Sequence, residues 1–106
     1  MSDVLVKIKR LVLKGRYKFS EKARDEMKAD GLSELDVAES ILNAGTIYKT
    51  LRSKSPLREH AREYLYVIQS TNLNGLFIYT KGKFLREAGV EAFYFLISSK
   101  RSISDE

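Results

Sequence analysis

The side chains best suited to chemistry are cations and tyrosines, and they concentrate in the second half of the chain. Basic groups hold phosphates, and the flat faces of tyrosine rings can stack on unpaired bases. Each also has a plainer interpretation, because tyrosine is an ordinary strand residue and a Lys-Gly-Lys sequence is typical of a solvated turn. The candidates are Lys49, Arg52, Lys54, Arg58, His60, Arg62, Tyr64, Tyr66, Tyr79, Lys81, Lys83, Lys100 and Arg101.

Such a surface could cleave RNA through the RNA's own 2′-hydroxyl group, which would attack the neighbouring phosphate. The reaction needs a base for the hydroxyl, a positive charge beside the phosphoryl oxygens and an acid for the leaving oxygen. Neighbouring cations lower the pKa of a lysine, so a lysine can serve as the base, and an arginine supplies a fixed charge. His60 has the ordinary pKa of an acid or base, but it also fits a plain surface histidine in a charged loop after Pro56.

The composition excludes several other kinds of site. The chain has 106 residues, which suits one domain with a modest core. It has no cysteine and a single histidine, which excludes disulfides and cysteine nucleophiles and argues against a metal site. It contains no glycine-rich phosphate loop, paired histidines or nucleophile elbow. No apolar run is long enough to cross a bilayer and no secretion signal is apparent, so we expect a cytoplasmic protein without a cofactor.

The net charge of +5 is unevenly distributed along the chain. Residues 46–86 carry eight cations and two acids, whereas residues 21–45 carry three cations and seven acids. A basic region beside an acidic helical segment can steer an anionic partner to one side of a protein. Nucleic acid is the commonest partner of this kind.

Three helices are predicted before any strong strand. Residues 3–14 have an apolar stripe at helical spacing, and their length and the glycine that follows favour a helix over an alternating strand. Ser20 is a typical N-cap for a second helix, which Gly31 ends. Ser33 and Asp36 have the spacing of a capping box at the start of a third helix.

After residue 45 the hydrophobic period changes from helical to two, which predicts strands. The predicted strands are residues 46–51, 63–69, 76–85 and 92–97, joined in part by a basic loop over residues 52–61 and preceded by a short extended link over residues 16–19. A tight turn is predicted within the third strand, at Lys81-Gly82-Lys83. The apolar run over residues 92–97 is typical of a strand buried on both faces and hence central in its sheet.

These elements predict a single α+β domain over residues 1–106. Its N-terminal helices would pack on one face of an antiparallel sheet of about four strands. The other face of such a sheet can remain open to solvent.

Four stretches of the chain, in this order, resemble the MqsR-like branch of the RelE superfamily of toxin endoribonucleases and related small domains of unknown function. IKRLVLKG (8–15) is similar to that family's opening helix, and KFSEKARDEMKADGLSELDV (18–37) to its second and third helices. TIYKTLRSKSP (46–56) is similar to its first strand and loop, and FLISSKR (95–101) to its closing strand. The resemblance implies a RelE-like fold and a toxin of a type II toxin–antitoxin system, which cleaves mRNA without a metal and is neutralised by a cognate antitoxin.

The resemblance also implies roles for individual residues. The family's first-strand lysine corresponds to Lys49, its C-terminal lysine to Lys100 and its mid-sheet tyrosine to Tyr79. Its central glutamine corresponds to either Arg62 or Gln69.

We therefore predict a catalytic set of Lys49, Tyr79, Lys100 and His60. The cations predicted to hold flanking phosphates are Arg52, Lys54, Arg58, Arg62, Lys81 and Arg101. The hypothesis requires Lys49 and Lys100 to converge on one concave cationic patch. Two alternatives remain, namely a non-catalytic RNA- or protein-binding module of the same fold, and an adaptor that pairs an open sheet edge with a partner's strand.

Overall fold

The described part of the chain folds into three helices and a five-stranded sheet. A computed structural model describes residues 3–56 and 63–102. The elements are α1 (Asp3–Leu13), β1 (Tyr17–Phe19), α2 (Glu21–Asp30), α3 (Glu34–Asn43), β2 (Lys49–Arg52), β3 (Tyr64–Thr71), β4 (Phe77–Glu87) and β5 (Val90–Arg101). The predicted α+β class with N-terminal helices is confirmed, although the sheet has five strands rather than about four. None of these three helices is long and apolar enough to cross a membrane.

The ends of α2 and α3 are set by local hydrogen bonds that the sequence predicts. The Ala23 N–H donates to Ser20 Oγ at 3.0 Å. The helix α2 ends at Gly31, whose φ of 71° lies in the left-handed region that glycine adopts readily. At the start of α3 the Asp36 N–H donates to Ser33 Oγ at 3.0 Å, and the Ser33 N–H donates to the Asp36 carboxylate at 2.9 Å. The predicted cap and capping box are therefore confirmed.

The strand β1 lies at one edge of the sheet, in a stretch that was predicted to be an extended link. The strand order is β1-β5-β4-β3-β2, in which β1 runs parallel to β5 and the other neighbours are antiparallel. Tyr17 pairs with Tyr94, and Phe19 pairs with Leu96. A strand of three residues is too short to show a period, and its partner lies near the other end of the chain. Local sequence patterns therefore could not reveal this pairing.

The strand β4 runs without interruption through Gly82. The tight turn predicted at Lys81-Gly82-Lys83 is therefore wrong. Gly82 pairs with Leu96 and lies directly against the ring of Tyr94, a fully buried residue. A Cβ atom at Gly82 would lie 2.5 Å from Tyr94 Cζ. The glycine is required because a tyrosine ring occupies the space of its missing side chain.

The helices cover one face of the sheet, and the main core lies between these two layers. Leu5 and Ile41 contribute from the helices, and Ile68, Ile78 and Tyr94 from the strands. All five are at most 1% exposed. The burial of this one apolar layer holds the helices on the sheet.

The strand β5 lies inside the sheet but is fully buried on one face only. It pairs with β1 on one side and with β4, the middle strand, on the other. Tyr94 and Leu96 face the helices and are fully buried, whereas Phe93 and Phe95 on the other face are half-buried. The expectation of a central strand buried on both faces is thus corrected. The aromatic residues Phe93 and Phe95 on the second face produced the continuous apolar run, although that face of β5 is only half-buried.

Side chains of α2 close the edge of β5 where β1 has ended. The Ser99 N–H donates to the Glu26 carboxylate at 3.1 Å, and the Arg101 N–H donates to the Asp30 carboxylate at 2.8 Å. These acceptors replace the carbonyl groups that a neighbouring strand would supply. The helix α2 is thus fixed beside the C-terminal end of β5.

Candidate nucleic-acid interface

Several predicted site residues share the side of the sheet that is turned away from the helices, which we call the open face. Lys49 lies opposite Val67, which lies opposite Lys81, and Tyr79 lies opposite Lys100. Directly opposite residues share one face of a sheet. The residues that alternate with Tyr79 and Lys81 in β4 are buried against the helices. Lys49, Tyr79, Lys81 and Lys100 are therefore on the open face.

One group on this face is a row across three strands, formed by Gln69, Tyr79 and Lys100. Lys100 Nζ lies 5.4 Å from the centre of the Tyr79 ring. Gln69 Oε1 accepts a hydrogen bond from Ser102 Oγ at 2.9 Å. Lys81 is a diagonal neighbour of Lys100, and such residues lie about 7–8 Å apart. Of the two candidates for the family's glutamine, Gln69 is the one that the structure brings beside Tyr79.

Lys49 does not join this group. It belongs to β2, which is separated from β5 by two intervening strands, and it is displaced by one row from Lys100. At about 4.8 Å per strand spacing, their Cα atoms are about 15 Å apart. The predicted convergence of Lys49 and Lys100 is therefore not found. The reason is strand order, since Lys81 of β4 occupies the place beside Lys100 that Lys49 was expected to take.

Two of the predicted phosphate-binding residues lie away from the open face. Arg52 is opposite Tyr64, and Arg101 is opposite Ile78, so both are on the side of the sheet that carries the helices. Lys54 is exposed in the segment after β2. The other predicted residues lie outside the described parts of the chain: Arg58, His60 and Arg62.

Glu26 of α2 is a carboxylate near this row that the sequence patterns did not indicate. Its Oε1 accepts from Ser98 Oγ at 2.7 Å and from the Ser99 N–H at 3.1 Å, and its Oε2 lies 3.6 Å from Lys22 Nζ. Burial raises the pKa of Glu26, but the two hydrogen bonds and the charges of Lys22 and Lys100 outweigh burial and lower this pKa below its ordinary value. Glu26 is therefore an anion at neutral pH. No sequence signal distinguishes it from the other acids of α2.

The phenol group of Tyr79 is affected by this carboxylate. Burial raises the pKa of Tyr79, and the negative charge of Glu26 raises it further. The phenol therefore stays protonated at neutral pH. It can donate a hydrogen bond or a proton to an oxygen placed beside Lys100.

Replacing Glu26 with glutamine is expected to lower stability by about 1 kcal/mol at neutral pH, because hydrogen bonds to a charged acceptor are stronger than those to an amide oxygen. The folded-state pKa of Glu26 is below the ordinary value of 4.5. The difference in the free energy of unfolding between the native protein and the variant should therefore be complete above pH 4.5. It should disappear as the pH falls through the folded-state pKa of Glu26. Urea unfolding of both proteins between about pH 7 and about pH 3 measures this difference. A difference that is independent of pH would contradict the assignment.

A second cationic group occupies the open face near β1, and the sequence reasoning missed it. Lys18 Nζ lies 4.3 Å from the centre of the Phe93 ring, and Arg16 Cζ lies 5.3 Å from it. Lys18 pairs with Phe95, which places these side chains on the same face as the row in β4 and β5. The alternation of cations and aromatic residues over residues 16–19 is the signal that could have indicated them.

The open face thus carries two groups. The row supplies the amide of Gln69, the protonated phenol of Tyr79 and the ammonium group of Lys100, with Lys81 nearby. Arg16 and Lys18, on the ring of Phe93, form the second group. No protein-family model, curated protein or solved structure matches this chain.

Proposed function

We propose that this protein is an endoribonuclease that cleaves mRNA through the RNA 2′-hydroxyl group, as the toxin of a type II toxin–antitoxin system. One observation carries the proposal. Gln69, Tyr79 and Lys100 form a single row on the open face, with Lys81 diagonal to Lys100. This group supplies two cations and a proton donor within the reach of one phosphate.

In the proposed reaction the 2′-oxygen attacks phosphorus while the bond from phosphorus to the 5′-oxygen breaks. The products are a 2′,3′-cyclic phosphate and a 5′-hydroxyl group. Lys81 and Lys100 stabilise the charge that develops on the phosphoryl oxygens. Tyr79 donates a proton to the leaving 5′-oxygen, and the Gln69 amide hydrogen-bonds the ribose or base next to it. The base that accepts the 2′-proton is His60, which lies outside the described residues, because Lys49 is too far from this row.

The proposed partners follow from this function. The substrate is mRNA, which places the protein in the cytoplasm. A cognate antitoxin would neutralise it by covering the same cationic face, and acidic side chains on that antitoxin would match the charge of the face.

A non-catalytic RNA-binding module is the second candidate, and the position of Lys49 favours it. A base must lie within hydrogen-bonding reach of the hydroxyl group that it deprotonates. Lys49 is about 15 Å from Lys100 and cannot serve a phosphate held at Lys100 unless the RNA bridges the two. Such a face would hold RNA without cutting it.

Incubation of the purified protein with single-stranded RNA, in the presence of EDTA, separates the two candidates. We expect cleavage that yields 2′,3′-cyclic phosphate ends, together with growth arrest when the protein is expressed in bacteria. RNA that is shifted in a gel but remains intact would instead establish the binding module. RNA that is neither bound nor cut would exclude both.

A further inference from the structure

The cations Arg16 and Lys18 form a binding group separate from the row at Tyr79 and Lys100. Both are exposed, and both lie over the ring of Phe93. Within residues 3–56 and 63–102, neither of them forms an ion pair. Two cations held on one aromatic ring, without a carboxylate to neutralise them, can accept a phosphate from solution.

An apolar strip along β5 joins this group to the row. Phe93, Phe95 and Ile97 are all half-buried, so each still presents part of its side chain to solvent. Aromatic faces on an exposed sheet are suitable platforms for the stacking of unpaired bases. From Phe93 to Lys100 the strand spans about 23 Å at about 3.3 Å per residue.

The positive charge of the open face suits it to binding a polyanion. Besides Arg16 and Lys18 it carries Lys49, Lys81 and Lys100. Among the described strand residues, the acid that alternation places on this face is Glu87, at the end of β4. Glu63, just before β3, is 5% exposed and lies 3.2 Å from Lys83 Nζ. By contrast, residues 21–45, which form α2 and α3 on the other side, carry seven of the chain's acids. This asymmetry orients an approaching polyanion toward the open face.

We propose that a single strand of RNA lies along β5, with one phosphate at Lys100 and others at Arg16 and Lys18, and with its bases against Phe93 and Phe95. This inference deepens the proposed function, on which it rests, by assigning the RNA strand a second phosphate-binding group and a stacking strip. A stacked strand advances about 3.4 Å per nucleotide, so about seven nucleotides are needed to reach from one end to the other. A duplex cannot stack its bases on this strip, since they are already paired and stacked.

The test compares an oligonucleotide of about twelve nucleotides with one of about three, using fluorescence anisotropy over a range of salt concentrations. The variant is Arg16→Ala with Lys18→Ala. The slope of the logarithm of the binding constant against the logarithm of the salt concentration should become about 1.4 less steep for the longer RNA, because two phosphate contacts are lost. The affinity for the longer RNA should fall by about 25-fold at about 0.1 M salt. Binding and cleavage of the shorter RNA should not change, because it does not reach this group.

The matched control is Arg10→Ala with Lys14→Ala, which removes the same charge. Arg10 is exposed in the last turn of α1 and Lys14 directly follows α1, on the other side of the sheet. Its effect on the longer RNA should be a small fraction of that of the test variant. Thermal unfolding establishes that both variants are folded.

The possible failures are distinguishable. If the shorter RNA is cut but both double variants bind the longer RNA equally, the inference about Arg16 and Lys18 is overturned and the nuclease stands. If duplex RNA competes as well as single-stranded RNA, the stacking strip is overturned. If neither length of RNA binds and an acidic peptide does, both this inference and the proposed function are overturned.

Discussion

Replacing Gly82 with alanine is expected to destabilise the protein by about 3 kcal/mol, the upper part of the usual range for an overpacked core. The new Cβ would lie 2.5 Å from Tyr94 Cζ and 2.7 Å from Tyr94 Oη. Tyr94 is fully buried and packs edge-to-face on Phe84, so its ring cannot move aside without disturbing the core. Urea unfolding should show this loss directly, and thermal unfolding should show a midpoint lower by about 15 °C.

Two further variants test the cause of this loss. Gly45→Ala is the matched control, because an added Cβ at Gly45 meets nothing within 4 Å. We expect it to change stability by no more than about 0.5 kcal/mol. In a Tyr94→Leu background the smaller side chain leaves room for the new methyl group, so the cost of Gly82→Ala should fall by at least about 1 kcal/mol. An unchanged cost would mean that the ring is not the obstacle.

In the proposed reaction, replacing Lys100 with alanine should reduce RNA cleavage by about 100- to 1,000-fold, the usual cost of removing one preorganised group that stabilises developing charge. Lys100 is exposed, so the fold should be unaffected. The rate is measured in single turnover on labelled RNA, and thermal unfolding verifies that the variant is folded.

The neighbouring residue provides the control for this experiment. Arg101→Ala removes the same charge from the next position of β5, but Arg101 is opposite Ile78, on the side of the sheet that carries the helices. The cleavage rate of the Arg101→Ala variant should stay within about threefold of the native rate. Only the long-range electrostatic potential at the row changes, and salt screens that potential. Equal losses for the two variants would show that net charge, and not the row at Tyr79, supports cleavage.

The helices could be predicted from the sequence because their limits depend on residues close together in the chain. Ser33 and Asp36 are three residues apart, and their reciprocal hydrogen bonds need no other part of the protein. Gly82 illustrates the opposite case. Its local sequence is typical of a turn, but the glycine is explained by Tyr94, which only the sheet brings against it.

The candidate site was predictable in composition but not in arrangement. The types of residue at Tyr79, Lys81 and Lys100 indicated a phosphate-binding surface, and all three share one face. The separation of Lys49 from Lys100 depends on the order of four strands, and the choice of Gln69 depends on the register of β3 against β4. Neither strand order nor register is encoded in any local pattern.

The position of β5 has a consequence for the biogenesis of the protein. It is the last described strand to leave the ribosome, yet it lies between β1 and β4 and supplies Lys100. Pairings between distant parts of a chain form late, because the closure of a long loop costs entropy before any contact repays it. The emerging polypeptide therefore lacks both its hydrophobic layer and the row at Tyr79 until this strand has been translated. In the proposed function, a nascent chain of this topology could not yet attack the message that encodes it.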